Sequence, residues 1–423
     1  MTAMYDGIII GGGPAGSTAA ILLSRAGWSV ALLEAKRFPR RKVCGECIAA
    51  SNLPLLNALG VGEALHRRAG PALRRVALWR GDERITTGLP ARRGRHPWGY
   101  ALRREHLDLL LIEQARAAGA TVLQPAKALA VHRRPDDALG EVEVMQEDGA
   151  ALTLSAPVIV RAHGSWQPAP ADEVSGTREQ RRPSDLLAFK ANFRGAALEE
   201  GLLPVLVFAG GYGGMVLTSD GLATLACCIR RDRLIACRRE ICATSGTAGA
   251  SIEALLSREC RGVREALAQA LRVGPWLAAG PIRPGVRLGD AASGAFRIGN
   301  AAGEVHPIIG EGISMALQSA WLLCDELTRH AGASSANVSG SVLRSEIQRR
   351  YAARWRAHFS RRMRLAACFA HAAVRPAASA ALIRLLRRAP ALLGLAARMS
   401  GKTRCAVVLS PQTHPGLTQG SIS

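Results

Sequence analysis

The chain has 423 residues, 48% hydrophobic and 21% charged, with 55 Lys and Arg against 33 Asp and Glu, giving a net charge of +22. That length supports two or three domains with sizeable cores, and the composition excludes a disordered or fibrous chain. The charge invites a nucleic-acid reading, but no recognised nucleic-acid motif accompanies it, so none is expected as a partner. Only five of the basic residues are Lys, an Arg skew that compositional bias explains in part. The imbalance is nevertheless local: 15 basic residues and one acid (Glu346) fall between Val338 and Ser423. No charge-free apolar stretch is long enough to predict a transmembrane helix, and the start of the chain lacks the features of a signal peptide. The expectation is therefore a cytoplasmic location. Ten scattered cysteines suit a reducing compartment. Cys44 and Cys47 form a lone Cys-x-x-Cys with no second pair to complete a tetrahedral site, so no metal is expected.

In chain order, Ile8–Ile10 reads as a short β-branched strand running directly into Gly11-Gly12-Gly13-Pro14-Ala15-Gly16. Helical spacing then carries Ala19, Ala20, Leu22 and Leu23 to a stop at Gly27, and a second strand, Ser29–Leu33, ends on Glu34 and Ala35. Gly11, Gly13 and Gly16 satisfy Gly-x-Gly-x-x-Gly within a strand–turn–helix–strand unit. Gly11 permits the tight turn, Gly13 lets a pyrophosphate approach the backbone, and Gly16 lets helix and strand pack closely. The helix N-terminus stabilises phosphate charge, and Glu34 is placed to accept hydrogen bonds from a ribose. A dinucleotide-binding unit follows, spanning Gly11, Gly12, Gly13, Pro14, Ala15, Gly16, Glu34 and Ala35.

Further along, residues 141–156 read as a hairpin and 166–182 as a linker. Leu186–Phe193, Leu203–Phe208, Gly214–Thr218 and Leu222–Ile229 read as strands of a second, mostly antiparallel sheet, joined by residues near 70–100. Residues 252–271 read as one amphipathic helix, before 281–287 leads back to the first domain. A strand at Phe296–Ile298 precedes Gly299-Asn300-Ala301-Ala302-Gly303, a loop through Pro307 and Gly310-Glu311-Gly312-Ile313, and a helix over Ser314–Thr328. In the basic tail, Leu382, Ile383, Leu385, Leu386, Leu392, Leu393, Leu395 and Met399 alternate with arginines, and Pro390 divides the run into two helices. Such helices suit packing on the first domain or contact with an anionic membrane surface.

Paired with the N-terminal fingerprint, the 299–313 segment resembles FAD-dependent oxidoreductases of the p-hydroxybenzoate hydroxylase type, especially the geranylgeranyl-reductase-like branch. Pro39-Arg40-Arg41-Lys42-Val43-Cys44-Gly45-Glu46 is similar to that branch's Lys-x-Cys-Gly-Glu segment. The resemblance implies FAD as cofactor, with Lys42 and Cys44 beside the flavin and Arg104 on the diphosphate. It places Asn300 at the ribityl chain, and Gly310, Gly312 and Ile313 at a helix N-terminus under the ring. Pro307 and Glu311 of the same loop join Cys44 as catalytic candidates. Asn300 and His163 stand where the family carries Asp. The branch's Gly-Tyr-x-Trp-x-Phe-Pro segment is reduced here to Gly211 and Tyr212, with Gly214, Val216 and Leu217 in place of the larger residues. Tyr212 and Gly214 are thus the substrate-side candidates.

The expected architecture is α/β: a Rossmann-like FAD-binding domain (1–69, 101–166 and 282–335), an antiparallel substrate domain (70–100 and 167–281), and a basic helical region (336–423). The leading functional expectation is a monooxygenase hydroxylating an aromatic, quinone-like or polyketide-derived small molecule with NAD(P)H and dioxygen. Alternatives are a reductase or dehydrogenase of carbon–carbon double bonds, a disulfide reductase using Cys44 and Cys47, and a non-enzymatic flavin-binding module. The Trp-x-Trp-x-Ile-Pro motif of flavin-dependent halogenases is absent, so halogenation is not expected.

Overall fold

The computed structural model describes residues 2–94, 96–133, 138–164, 181–241, 246–289, 294–332, 338, 340–401 and 407; the expected linker falls almost wholly outside them. Five strands lie side by side in the order Phe296–Arg297, Val158–Arg161, Gly7–Ile10, Val30–Leu33 and Thr121–Leu123, all parallel. Their apolar runs do not alternate because both faces are covered. Ile9, Leu32 and Val160 pack under the helices Pro14–Arg25, Arg104–Ala117 and Gly312–Ala331. Ile8, Ile10 and Leu33 instead meet Val142, Val144 and Leu154 of a four-stranded sheet that includes the hairpin Gly140–Gln146 and Ala151–Ala156.

The second sheet has seven strands in the order Leu271–Ile282, Leu186–Arg194, Leu222–Arg230, Gly211–Leu217, Leu202–Phe208, Arg75–Arg80 and Glu83–Gly88. Only Leu202–Phe208 and Arg75–Arg80 pair in parallel, so the sheet is mostly antiparallel. One face is buried under three helices, Arg231–Ile241, Ala248–Glu259 and Arg261–Leu267. The other face looks across a cavity toward the parallel sheet. The fold is thus a Rossmann-like α/β domain, an antiparallel sheet domain and C-terminal helices, as the sequence predicts.

Two local expectations are corrected. The single helix over 252–271 is two helices, because Cys260 adopts an extended conformation (φ −138, ψ 102) between them. A Cβ at Gly262 would lie 2.4 Å from the Trp79 ring, so the second residue of the second helix is a glycine that fits under that ring. Residues from Leu271 form a 12-residue strand at the sheet edge. Its Gly274, Pro275, Gly280 and Pro281 read as turn signals, yet an edge strand tolerates such residues.

The C-terminal region begins with a 33-residue helix, Ser341–Ala373, whose buried Tyr351, Trp355 and Phe359 join the core beside Gly312–Ala331. The helices Pro376–Arg388 and Ala391–Met399 follow, divided at Pro390. They do not lie on the parallel sheet; they contact the edge strand Glu83–Gly88 of the second sheet. Arg80 Nε donates to Ser379 Oγ at 3.1 Å, and Arg387 pairs with Glu83 at 3.0 Å. Among the described residues no single helix is long and apolar enough to cross a membrane.

Glu46 ties the two sheets together. It sits fully buried at positive φ (59°) just before the short strand Cys47–Ile48. One carboxylate oxygen receives the Arg104 backbone N–H at 2.9 Å and the ammonium of fully buried Lys190; the other receives the Thr224 hydroxyl at 2.6 Å. Lys190 and Thr224 belong to adjacent strands of the second sheet, and Arg104 begins a helix of the first domain. Removing one member of a buried pair strands the other charge. Glu46→Ala should therefore lower unfolding stability by about 3–5 kcal/mol, read from urea titrations, whereas Glu46→Leu with Lys190→Met should recover most of it.

Candidate functional site

A cavity of about 490 Å³ runs from the glycine turn, between the two sheets, to the C-terminal helices. At its first end the helix Pro14–Arg25 presents an N-terminus with no side-chain cap, so its first N–H groups face the cavity mouth of the turn. Gly11 takes φ +112, and a Cβ there would lie 2.8 Å from the Ala162 carbonyl oxygen. A Cβ at Gly16 would lie 1.8 Å from the Gly11 carbonyl oxygen, so helix and strand meet at backbone distance. Glu34, buried at the tip of its strand, accepts the Gly12 N–H at 3.0 Å and the Lys36 N–H at 2.9 Å, with Arg40 at 3.2 Å.

Three cations gather here. Arg104 is buried and holds Asp108 through Nε and Nη2, both at 2.9 Å. Burial, the largest single influence, opposes its charge, but Asp108 and Cys44 together raise the guanidinium pKa above its ordinary value. Arg104 Nη2 lies 3.9 Å from the space a Gly13 Cβ would fill. Lys42 also lines the cavity, its Nζ 2.7 Å from the position of a Gly164 Cβ. Burial, then the neighbouring Arg104 and Arg40, lower its pKa to about 8.

The middle of the cavity is lined by Cys44, His163, Asn300, Pro307, Gly310, Gly312 and Ile313. Asn300 sits in a short 3-10 turn, and its carbonyl accepts Arg287 Nη1 at 3.3 Å. Gly312 opens the helix Gly312–Ala331, which again lacks a side-chain cap, and a Cβ on Gly312 would meet nothing within 4 Å. Cys44 is half-buried with its sulfur 3.3 Å from the Glu46 N–H, and Cys44 and Cys47 are both free thiols. Tyr212 and Gly214 line the third, apolar part together with Leu78, Val205, Val207 and the leucines of the C-terminal helices.

Four expected site residues do not line the cavity: Gly12, Gly16, Ala35 and Glu311. The first two act through backbone contacts behind the turn, and Ala35 lies beyond the Glu34 carboxylate. Glu311, expected as a catalytic carboxylate, is fully buried behind the wall and faces Arg362 of the long C-terminal helix at 3.8 Å. It orients the loop rather than touching the cavity. Nearby, Asn52 donates to Ser314 Oγ at 2.7 Å and accepts from Gln318 at 2.9 Å, which fixes the same helix from its other side. Lys190, Thr224, Arg362 and Asn52 carried no local sequence signal, because their partners are distant in the chain. Among the described residues no group of His, Cys, Asp or Glu could hold a metal ion.

The arrangement fits FAD. Two uncapped helix N-termini and the Arg40, Lys42 and Arg104 cations suit a diphosphate and an electron-rich ring, and Glu34 suits a ribose. The glycines leave open space where Cβ atoms would intrude. Protonated Lys42 favours the diphosphate, so FAD affinity should fall as pH rises through about 8. Fluorescence titration of the apoprotein between pH 6.5 and 9.5 measures this, and Lys42→Met should remove the pH-dependent limb.

Residues 4–201 match the protein family described as FAD binding domain. A menaquinone reductase from Mycolicibacterium smegmatis is 25% identical over 354 residues, covering 78% of this chain and 77% of that protein. A tryptophan 2-halogenase from Chondromyces crocatus is 36% identical over 118 residues, covering 28% of this chain, and a menaquinone reductase from Mycobacterium tuberculosis is 31% identical over 147, covering 35%. These two matches span only 22% and 35% of the relatives' own lengths. Among solved structures, the myxobacterial chondrochloren halogenase CndH superposes with a TM-score of 0.72 at 22% identity, covering 98% of this chain and 96% of that one. A geranylgeranyl bacteriochlorophyll reductase-like protein from Thermoplasma acidophilum gives 0.71 at 15% identity, covering 99% and 97%. Residues 4–201 thus match an FAD binding domain, and the chain as a whole has the fold of FAD-dependent halogenases and reductase-like flavoproteins.

Proposed function

We propose that the chain is an FAD-dependent oxidoreductase that reduces a carbon–carbon double bond in an apolar, quinone-like small molecule, with NAD(P)H as electron donor. The observation that carries this reading is the Tyr212 hydroxyl at the apolar end of the cavity. Tyr212 lines the wall there, and its oxygen lies 3.4 Å from His306 Nδ1. Saturating a double bond adds a hydride to one carbon and a proton to the other; FAD, when bound, supplies the hydride chemistry. The chain must supply the proton, and Tyr212 is placed to do so.

The surroundings keep this hydroxyl protonated. Burial, then the neighbouring Cys228, raises the Tyr212 pKa well above its ordinary value. Burial also lifts the Cys228 thiol to about 12, so it carries no charge at neutral pH. His306 has its pKa lowered to about 4 by burial and then by His371, whose ring stands edge-on at 5.8 Å. It is therefore neutral at pH 7, and can pass a proton to the tyrosine oxygen from one nitrogen while regaining one at the other. His163 and Gly164 border the middle of the cavity, His163 standing where the resembling family carries Asp. The similarity to a menaquinone reductase over 78% of the chain supports reduction of a quinone-like molecule.

A second reading is oxygen insertion into an aromatic or polyketide-derived molecule with NAD(P)H and dioxygen. It is favoured by Gly214, which lines the cavity in place of the bulky residue of the resembling branch. Anaerobic turnover of a panel of naphthoquinones and polyprenyl quinones separates the two, since oxygen insertion stops without dioxygen. Reduction should proceed anaerobically, and Tyr212→Phe should lower it about 10²–10³-fold while NAD(P)H-driven flavin reduction stays unchanged. Label from ¹⁸O₂ in the product would instead establish oxygen insertion.

A further inference from the structure

The far end of the cavity is closed by the inner faces of Pro376–Arg388 and Ala391–Met399, and two of its wall residues reach solvent. Leu385 is 52% exposed and Leu392 38% exposed, yet both line the cavity, so the apolar chamber opens to the surface between these helices. Around that mouth Leu395 is 50% exposed and Met399 38% exposed. Arg384, Arg388 and Arg398 stand exposed among them, while Arg387 is held by Glu83 at 3.0 Å. Large apolar side chains clustered on a surface and interleaved with arginine are the pattern of a helix that lies in a lipid interface. The charge agrees, since 15 basic residues and one acid occupy the last 86 positions.

Deepening the apolar-substrate reading, on which it partly rests, we infer that this mouth seats on an anionic lipid surface. Leu385, Leu392, Leu395 and Met399 enter the boundary between headgroups and acyl chains, and Arg384, Arg388 and Arg398 meet lipid phosphates. An apolar substrate then passes from the bilayer into the cavity without crossing water. The other occupants fit less well. A nucleic acid would engage the arginines but leave the leucines in water. A second copy of a chain with net charge +22 would bring like charge against like.

Sedimentation of the full chain, as purified, with vesicles of phosphatidylcholine alone or mixed with phosphatidylglycerol tests this. Binding is expected on the mixed vesicles at low salt, weakened at high salt. Replacing Arg384, Arg388 and Arg398 by Gln should weaken it about 100-fold, near fivefold per arginine. Leu395→Ser with Met399→Ser, positions outside the cavity lining, should weaken it about tenfold with circular dichroism and flavin absorbance unchanged. A Leu395→Trp variant should show blue-shifted emission that brominated acyl chains quench. No binding to the mixed vesicles at low salt would overturn the inference. So would unchanged binding by the triple arginine variant, or light scattering showing a dimer that the Leu395 and Met399 substitutions dissolve. Tighter binding to a duplex DNA than to the mixed vesicles also overturns it. The assay reads lipid contact without turnover, so a failed reductase assay beside intact binding counts only against the reaction proposed above.

Discussion

The buried carboxylate of Glu46 is the constraint on which the rest of the molecule depends. Two sheets face each other across a cavity, and a cavity by itself does not hold its walls together. Glu46 joins them with an ion pair to Lys190, a hydroxyl from Thr224 and a backbone N–H from Arg104. Because Arg104 also begins the helix that positions its own guanidinium beside Asp108, the tie sets the cation end of the cavity as well. A buried ion pair adds little net stability over an apolar replacement, but it tolerates few alternative arrangements. Glu46 thereby links the cofactor end to the substrate sheet directly.

The electrostatics of the cavity differ between its two ends. Cations concentrate at one end, around Arg40, Lys42 and Arg104, and the opposite end is apolar with Tyr212 and a neutral His306. The low pKa of Lys42 reflects its burial first and the neighbouring Arg104 and Arg40 second. A diphosphate relieves the crowding of these cations, while near the opposite end the Glu304 carboxylate lines the cavity and is paired with Arg287 at 3.5 Å. The loop carrying Pro307, Gly310 and Gly312 lies between the two regions, steadied from behind by Glu311 facing Arg362 and by Asn52 bonded to the following helix.

How much of this was legible in the sequence depended on the range of each interaction. The glycine turn and Glu34 were readable because their geometry is local: a positive φ at Gly11 and a backbone-to-backbone approach at Gly16 admit no larger residue. The seven-stranded sheet was readable at Leu186–Arg194 and Leu222–Arg230, whose apolar runs are uninterrupted by Gly or Pro. It was missed at Leu271–Ile282, where two prolines and two glycines mimic turns but are accommodated at an edge. Glu46 was visible as part of a motif, yet its partners lie 144 and 178 positions away and left no trace near it. Glu311 was read toward the ring because it sits between two glycines; it faces Arg362, 51 positions later on the long C-terminal helix. The amphipathic pattern of the last helices was clear, but a pattern states which face is apolar and not what covers it, and the second sheet proved to be the support.

The parallel sheet carries a consequence for the order of assembly. Its first strand in the chain, Gly7–Ile10, forms the centre, and the outer neighbour Phe296–Arg297 and the helix Gly312–Ala331 arrive almost 300 residues later. Contacts so remote in sequence close late, because the loop entropy must be overcome first. During synthesis the glycine turn is thus made early and stands half-walled while nearly three quarters of the chain emerges. A ribosome-bound fragment that ends before the Gly310–Gly312 loop therefore carries the glycine turn without the loop that lines the middle of the cavity.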